Sequence, residues 1–155
     1  MDTNHRRAEP GSIPGVRQTA WRSGSNPTAA RLRLPGVLPV RCSSARTYVR
    51  GTATVVELRG SLDLATVPAV RAHLDAAAAP PGARVVVDLR PADFFDCITL
   101  GLLCRARRRT LGSGGCLSVV CTRPWHLRIL EATGLGTALR PAPTLEHALT
   151  RAARP

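Results

Sequence analysis

The apolar positions of this chain fall into two regimes that meet near residue 45. From Arg46 onward they recur with strand or helix periods, and before it they follow neither. The stretch 48–58 holds the β-branched run Thr52-Ala-Thr-Val-Val-Glu-Leu58 and stops at Arg59-Gly60-Ser61, which reads as a strand ending in a turn. Over 65–79, Val67, Val70, Leu74 and Ala77/Ala78 repeat at three- and four-residue spacing, the stripe of an amphipathic helix. Thr66 ahead of Pro68 suits its start, since the first turn has no use for the proline's missing N–H, and Pro80-Pro81-Gly82 ends it. Arg84-Val-Val-Val-Asp-Leu89 is a continuous apolar run, as expected of a strand covered on both faces. A second helix is predicted over 98–111, with Leu100, Leu103, Cys104 and Leu111 on one stripe and Arg105, Arg108 and Arg109 off it. Gly112-Ser-Gly-Gly115 closes that helix, and a strand follows over 116–121. A third helix over 124–133 ends at Gly134, then come a short strand near 138–140 and a last helix over 144–153.

Strand–helix alternation of this kind predicts an α/β domain over 46–155: a mixed, largely parallel sheet of four to five strands packed by about four helices. A chain of 155 residues is enough for one such domain. Aromatic residues make up 3% against 44% hydrophobic overall, so the core must be built from Val, Leu, Ile and Ala. Residues 1–45 carry seven arginines, two acids and five prolines with no sustained period, too little apolar surface to offset the entropy of ordering them. They read as an Arg/Pro-rich disordered tail, or as a segment upstream of the true start; Trp21 is its one aromatic.

The net charge of +12 would attract phosphate backbones and anionic membranes, which makes nucleic-acid binding a rival class. All 22 basic residues are arginine, the mark of a GC-rich coding bias rather than of a physical demand, and side chains that stack on bases are nearly absent. The densest cluster, Arg105, Arg107, Arg108 and Arg109, reads as a solvated helix face. No apolar run approaches the ~20 residues that cross a bilayer, and the N-terminus lacks the compact apolar core of a signal peptide. The expected place is the cytoplasm, with thiols reduced. There Cys42, Cys97, Cys104, Cys116 and Cys121 are expected to be small buried hydrophobes, because no close pair has zinc-ligand spacing. Neither metal nor cofactor is expected. Ser113 and Ser118 lack a base and an orienting group, and His126 beside Trp125 reads as surface or packing. Gly112-Ser-Gly-Gly115 follows a helix and lacks the Gly-Lys-Ser/Thr ending of a phosphate cradle. The chain is not expected to be an enzyme.

One segment carries more: Asp88-Leu-Arg-Pro-Ala-Asp-Phe-Phe-Asp-Cys-Ile-Thr-Leu-Gly-Leu-Leu103. A buried strand ends, a short loop follows, and Asp96 stands where a helix N-cap belongs. The first turn of such a helix presents unpaired N–H groups and partial positive charge, a seat for a phosphate or an acidic side chain. Asp63, in the loop before the first helix, is a candidate for partner contact or for a local turn.

Together these pieces resemble the STAS fold, shared by bacterial anti-sigma-factor antagonists and the cytosolic tails of sulfate transporters. Gly60-Ser-Leu-Asp-Leu-Ala-Thr-Val-Pro68 is similar to that family's G-x-L-D-x-x-T-x-P. Val85-Val-Val-Asp-Leu89, Phe95-Asp96-Cys97 followed by Leu100-Gly101-Leu102-Leu103, and Thr133-Gly134-Leu135 follow in the family's order and spacing. With no transporter spans ahead of the domain, the resemblance points to the free-standing regulator. It implies a protein that binds an anti-sigma factor and thereby frees a sigma factor. That anti-sigma factor is often an ATP-dependent serine kinase, which turns its antagonist off by phosphorylating a serine in D-S-S-G-L or D-C-S-G-L. Laid on this chain, Asp96 and Cys97 match the first two positions, the acceptor falls on Ile98, and the glycine falls on Thr99. Isoleucine has no hydroxyl. Thr99 is then the one candidate phosphoacceptor, but a helix turns about 100° per residue, so its oxygen would point elsewhere. The resemblance therefore implies a partner surface of Asp63, Asp96, Cys97, Ile98, Thr99 and Leu100, without phosphorylation at the usual position. Two other readings stand beside it: a degenerate STAS module that senses a small ligand, and an Arg-rich nucleic-acid-binding protein.

Overall fold

The computed structural model describes residues 43–153, so all but the last three positions of the expected tail, with Trp21 and Cys42, lie outside the described residues. The stretch expected as one strand over 48–58 is a hairpin, β1 (Ala45–Arg50) and β2 (Ala53–Leu58), paired antiparallel from Ala45↔Leu58 to Arg50↔Ala53. Both arms carry β-branched residues, Thr47 and Val49 in β1 and Thr54, Val55 and Val56 in β2, which hides the break. Gly51 makes it, at a φ of +60° that a side chain disfavours.

β2 runs parallel to β4 (Arg84–Asp88), and β4 parallel to β6 (Cys116–Val120), giving the order β1-β2-β4-β6. The Val-Val-Val run of β4 is covered on both faces, as its sequence requires. Val85 and Val87 enter a cluster with Val70 and Leu74 of α1 (Val67–Ala77) and Leu103 of α2 (Cys97–Gly112). Val86 faces Leu145 and Ala148 of α5 (Leu145–Ala153) on the other side. All three valines are fully buried, each worth about 1.5–3 kcal/mol relative to exposure. α1 begins after Thr66 with proline in its first turn, and Thr144 caps α5 by accepting the His147 N–H at 3.1 Å.

The buried stripe of α2 is Thr99, Leu100, Leu103, Ala106 and Thr110. Leu111, expected on that stripe, is instead exposed, and Cys104 is half-buried. At 3.6 residues per turn the stripe advances from 103 through 106 to 110, leaving 111 rotated off it. After α2 the chain must turn back against the start of β4. A Cβ on Gly115 would lie 2.1 Å from the Ala83 carbonyl oxygen, so this approach needs glycine.

The expected turn at 59–61 is also a strand. Gly60, at φ +66°, swings the chain out of the main sheet, and β3 (Gly60–Leu62) pairs parallel with β5 (Ala92–Phe95) as a separate two-stranded ribbon. α3 (Pro124–Ala132) ends at Gly134, with φ +70°. The strand expected over 138–140 is instead the end of a short helix, α4 (Leu135–Leu139). Gly134 and Arg140, both at positive φ, bound this single turn, and the chain reaches the sheet only at Ala142, bridged to Val120. The domain thus has five helices where about four were expected. The cysteines also differ from expectation: Cys121 is buried, Cys104 and Cys116 are half-buried, and Cys97 is exposed.

Candidate functional site

β5 delivers the chain from the ribbon straight into α2. The Asp96 N–H donates to the Leu62 carbonyl at 3.2 Å, the last rung of the ribbon, and Asp96 then caps the helix with extended backbone. Its Oδ1 accepts the Thr99 N–H at 2.9 Å and the Thr99 hydroxyl at 3.1 Å. That hydroxyl also lies 3.4 Å from the Leu62 carbonyl, and Thr99 is only 1% exposed. A capping carboxylate of this kind is worth about 1 kcal/mol to the helix. The opposing loop is closed in a similar way. The Asp63 carboxylate accepts the Ala65 N–H at 3.1 Å, while the Thr66 hydroxyl accepts the Asp63 N–H at 3.0 Å and donates back to its carbonyl at 2.9 Å. The pairing of β3 with β5, at Leu62↔Phe95, sets these two loops side by side.

The residues expected at the site therefore separate by exposure. Cys97 and Ile98 are exposed, Asp63 and Asp96 are half-buried, and Thr99 and Leu100 belong to the interior. Chemically, the first turn of α2 offers an apolar side chain and a thiol, with its nearest carboxylate already engaged in the cap.

Behind this turn lies a layer that the sequence did not mark as one. Phe95 packs against His126, ring centroids 4.5 Å apart and planes tilted by 46°, and the buried His126 places Nε2 3.3 Å from the Asp93 carbonyl oxygen. Arg123 pairs with the Asp93 carboxylate at 2.8 Å. The first turn of α3 is thus fastened to β5. Burial, with Arg123 nearby, pushes the His126 pKa below its ordinary value against the opposing pull of Asp93. His73, buried with Nδ1 2.7 Å from the Thr47 hydroxyl, is lowered by burial alone. Alternation along Asp93-Phe-Phe95 could have shown one phenylalanine inward and the other outward, but β5 has no period long enough to be read alone.

The arginine cluster stands apart from this surface. Arg105 and Arg109 of α2 and Arg71 of α1 all reach Asp75, at 3.4–3.5 Å, with half-exposed side chains. Such pairs contribute ~0–1 kcal/mol each. Between α3 and α4 lies an open cavity of about 380 Å³, lined by Leu127, Leu130, Glu131 and Thr137 among others. Among the described residues no cluster of His, Cys, Asp and Glu could hold a metal ion, and no helix is long and apolar enough to cross a membrane.

A four-stranded mixed sheet, a parallel two-stranded ribbon and an aspartate-capped helix between them define a small α/β domain of the STAS class. The family model described as Mlab, STAS domain matches residues 46–141, and the chain belongs to that family. Among solved structures, an anti-sigma factor antagonist from Mycobacterium paratuberculosis is similar, with a TM-score of 0.64 and 28% identity over 71% of this chain and 93% of its own. An anti-sigma-factor antagonist (STAS) domain protein from Planctomyces limnophilus shares the fold, with a TM-score of 0.65 and 19% identity over 73% of this chain and 100% of its own. So does the Bacillus cell fate determinant SpoIIAA in its phosphorylated form, with a TM-score of 0.56 and 22% identity over 69% of this chain and 97% of its own. No curated protein matches the chain.

Proposed function

We propose that this chain is an anti-sigma factor antagonist that binds its anti-sigma factor with the first turn of α2 and the β3–α1 loop, and so frees a sigma factor for transcription. It acts in the cytoplasm by occupancy, without catalysis or cofactor, and is not switched by phosphorylation at the usual position. The observation that carries this reading is the state of the acceptor turn. Ile98, where the resemblance puts the acceptor serine, is 44% exposed and has no oxygen to phosphorylate. Thr99 has one, but it is buried and donates to the Asp96 carboxylate. Phosphoryl transfer needs the attacking oxygen in line with the leaving group, and this oxygen faces inward. A phosphate there would also bring about −1.5 to −2 charges beside Asp96. The anti-sigma factor is of the ATP-dependent serine-kinase type or descends from it, and Asp63, Asp96, Cys97 and Ile98 form the contact, with Thr99 and Leu100 holding the turn from within.

The test is co-purification from the native cell, followed by reconstitution of the recovered anti-sigma factor with ATP. The wild-type chain should bind it and take up no phosphate. Ile98→Ser, alone and with Thr99→Gly, should gain phosphate on the new serine and release the partner. Phosphate on Thr99 of the wild-type chain would mean that the switch has moved by one residue, and the constitutive reading would fail.

A further inference from the structure

Six large hydrophobic side chains are exposed among the described residues, and four of them lie on the elements that meet at the start of α2. These are Leu64 in the β3–α1 loop at 70%, Phe94 in β5 at 48%, Ile98 in α2 at 44% and Trp125 in the first turn of α3 at 65%. Singly exposed apolar residues are ordinary, whereas a group of them gathered at one place marks a contact surface. The aromatic content sharpens this. Only Tyr48, Phe94, Phe95 and Trp125 are aromatic among the described residues, and the chain leaves two of the four exposed here.

The two aromatics among them are held on fixed supports. Ser61↔Phe94 is the outward pair of the ribbon, opposite in sense to the buried pair Leu62↔Phe95. Trp125 precedes His126, whose ring lies on Phe95, and Arg123 on the same turn is tied to Asp93. An aromatic on a rigid backbone loses little entropy when it is covered, which is why tryptophan is over-represented among binding hot spots. The nearest charges have partners within the chain: Arg123 pairs with Asp93 at the surface, Asp96 caps α2, and Asp63 closes its own turn. That balance fits an apolar protein surface and gives a phosphate group little to bind.

We infer that the antagonist surface extends beyond the α2 turn onto β5 and α3, with Phe94 and Trp125 as anchors that enter an apolar depression on the anti-sigma factor. This rests on the function proposed above and gives its partner a chemistry: hydrophobic contact, with Ile98 as one of four exposed apolar side chains on these elements. Binding is then insensitive to salt, since exposed charges make little of the interface.

The experiment measures affinity of purified full-length chain for the anti-sigma factor identified by co-purification, alongside thermal melting and sedimentation of the chain alone. Trp125→Ser and Phe94→Ser should each weaken binding by about tenfold or more, as expected for anchor residues, with melting unchanged. Leu111→Ser, an equally exposed apolar residue at the far end of α2, should leave binding as it was. Raising salt from about 50 to 300 mM should change affinity by less than about threefold. Loss of binding in Ile98→Asp with Trp125→Ser and Phe94→Ser unaffected would overturn the extension and leave the proposed function standing. Wild-type binding by all three variants would remove the proposed function's surface as well. Self-association of the wild-type chain, abolished by Trp125→Ser, would assign the group to a second copy of this chain and overturn the inference.

Discussion

The two ends of α2 differ in a way that separates charge from exposed apolar surface. Its last turns carry Arg105, Arg107, Arg108 and Arg109, and there Arg105 and Arg109 converge with Arg71 on one carboxylate, Asp75. Its first turn carries no basic residue, spends Asp96 on the cap, and exposes Cys97 and Ile98. By charge density alone the arginine end would be the place to look. By what is left unsatisfied toward solvent, the apolar start is. Solvated guanidiniums need no partner, since water and one carboxylate satisfy them, whereas exposed isoleucine, phenylalanine and tryptophan gain only when covered.

Both ends hang on one buried stripe, so the largest effect comes from cutting it. Leu103→Ala should cost about 2–5 kcal/mol of unfolding free energy in a denaturant titration, because Leu103 is fully buried between α2 and the sheet. A cost below 1 kcal/mol would mean that the stripe is not shared. Asp96→Lys should come next in stability, at about 1 kcal/mol for the lost cap plus the clash with the positive helix end. Its effect on anti-sigma factor binding should be larger than that, and equal losses in both would make Asp96 purely structural. Acid should act on the layer behind the first turn. His73 and His126 are both held below the ordinary histidine value by burial, so below about pH 6.5 the unfolded chain binds more protons than the folded one. Stability is then complete above that pH and falls as pH drops from there toward the lowered folded values. Urea midpoints at about pH 7.5 and 5.5 measure the slope, and His126→Leu should flatten it, where Asp93 and Arg123 are the charged groups facing that ring. The smallest effect belongs to the arginine end. Arg105→Gln with Arg109→Gln should change stability by less than about 0.5 kcal/mol and leave partner affinity unchanged. A marked loss of affinity would reverse the comparison.

What could be read without the structure was what local pattern decides. The Val-Val-Val run of β4, the helix start at Thr66-Val-Pro68, the stop at Gly134 and the cap at Asp96 each depend on neighbours in sequence. The features that escaped depend on partners far along the chain. β3 and β5 are too short to show a period and exist because they pair with each other. The stretch near 138–140 read as a short strand, and is instead the end of the helical turn Leu135–Leu139, because a few apolar residues near a sheet edge carry no period that separates the two. The candidate site divides the same way. The Asp96 cap and the turn that follows it were legible from local pattern, whereas the exposure of Phe94 and Trp125 and the burial of Thr99 required knowing which face each element buries.

The hairpin at Gly51 bears on the order in which the sheet assembles. β1 and β2 meet across a two-residue turn, a contact that forms on the microsecond scale. β2 finds β4, and β4 finds β6, only after about thirty residues of crossover have been closed, which costs loop entropy before any pairing rewards it. The antiparallel arm is therefore expected to form before the parallel strands arrive, with the folding barrier at the docking of α1 and β4 against it. Substitutions at Val55 or Val56 that weaken the template should slow folding, while those at Leu145 of α5 should mainly speed unfolding.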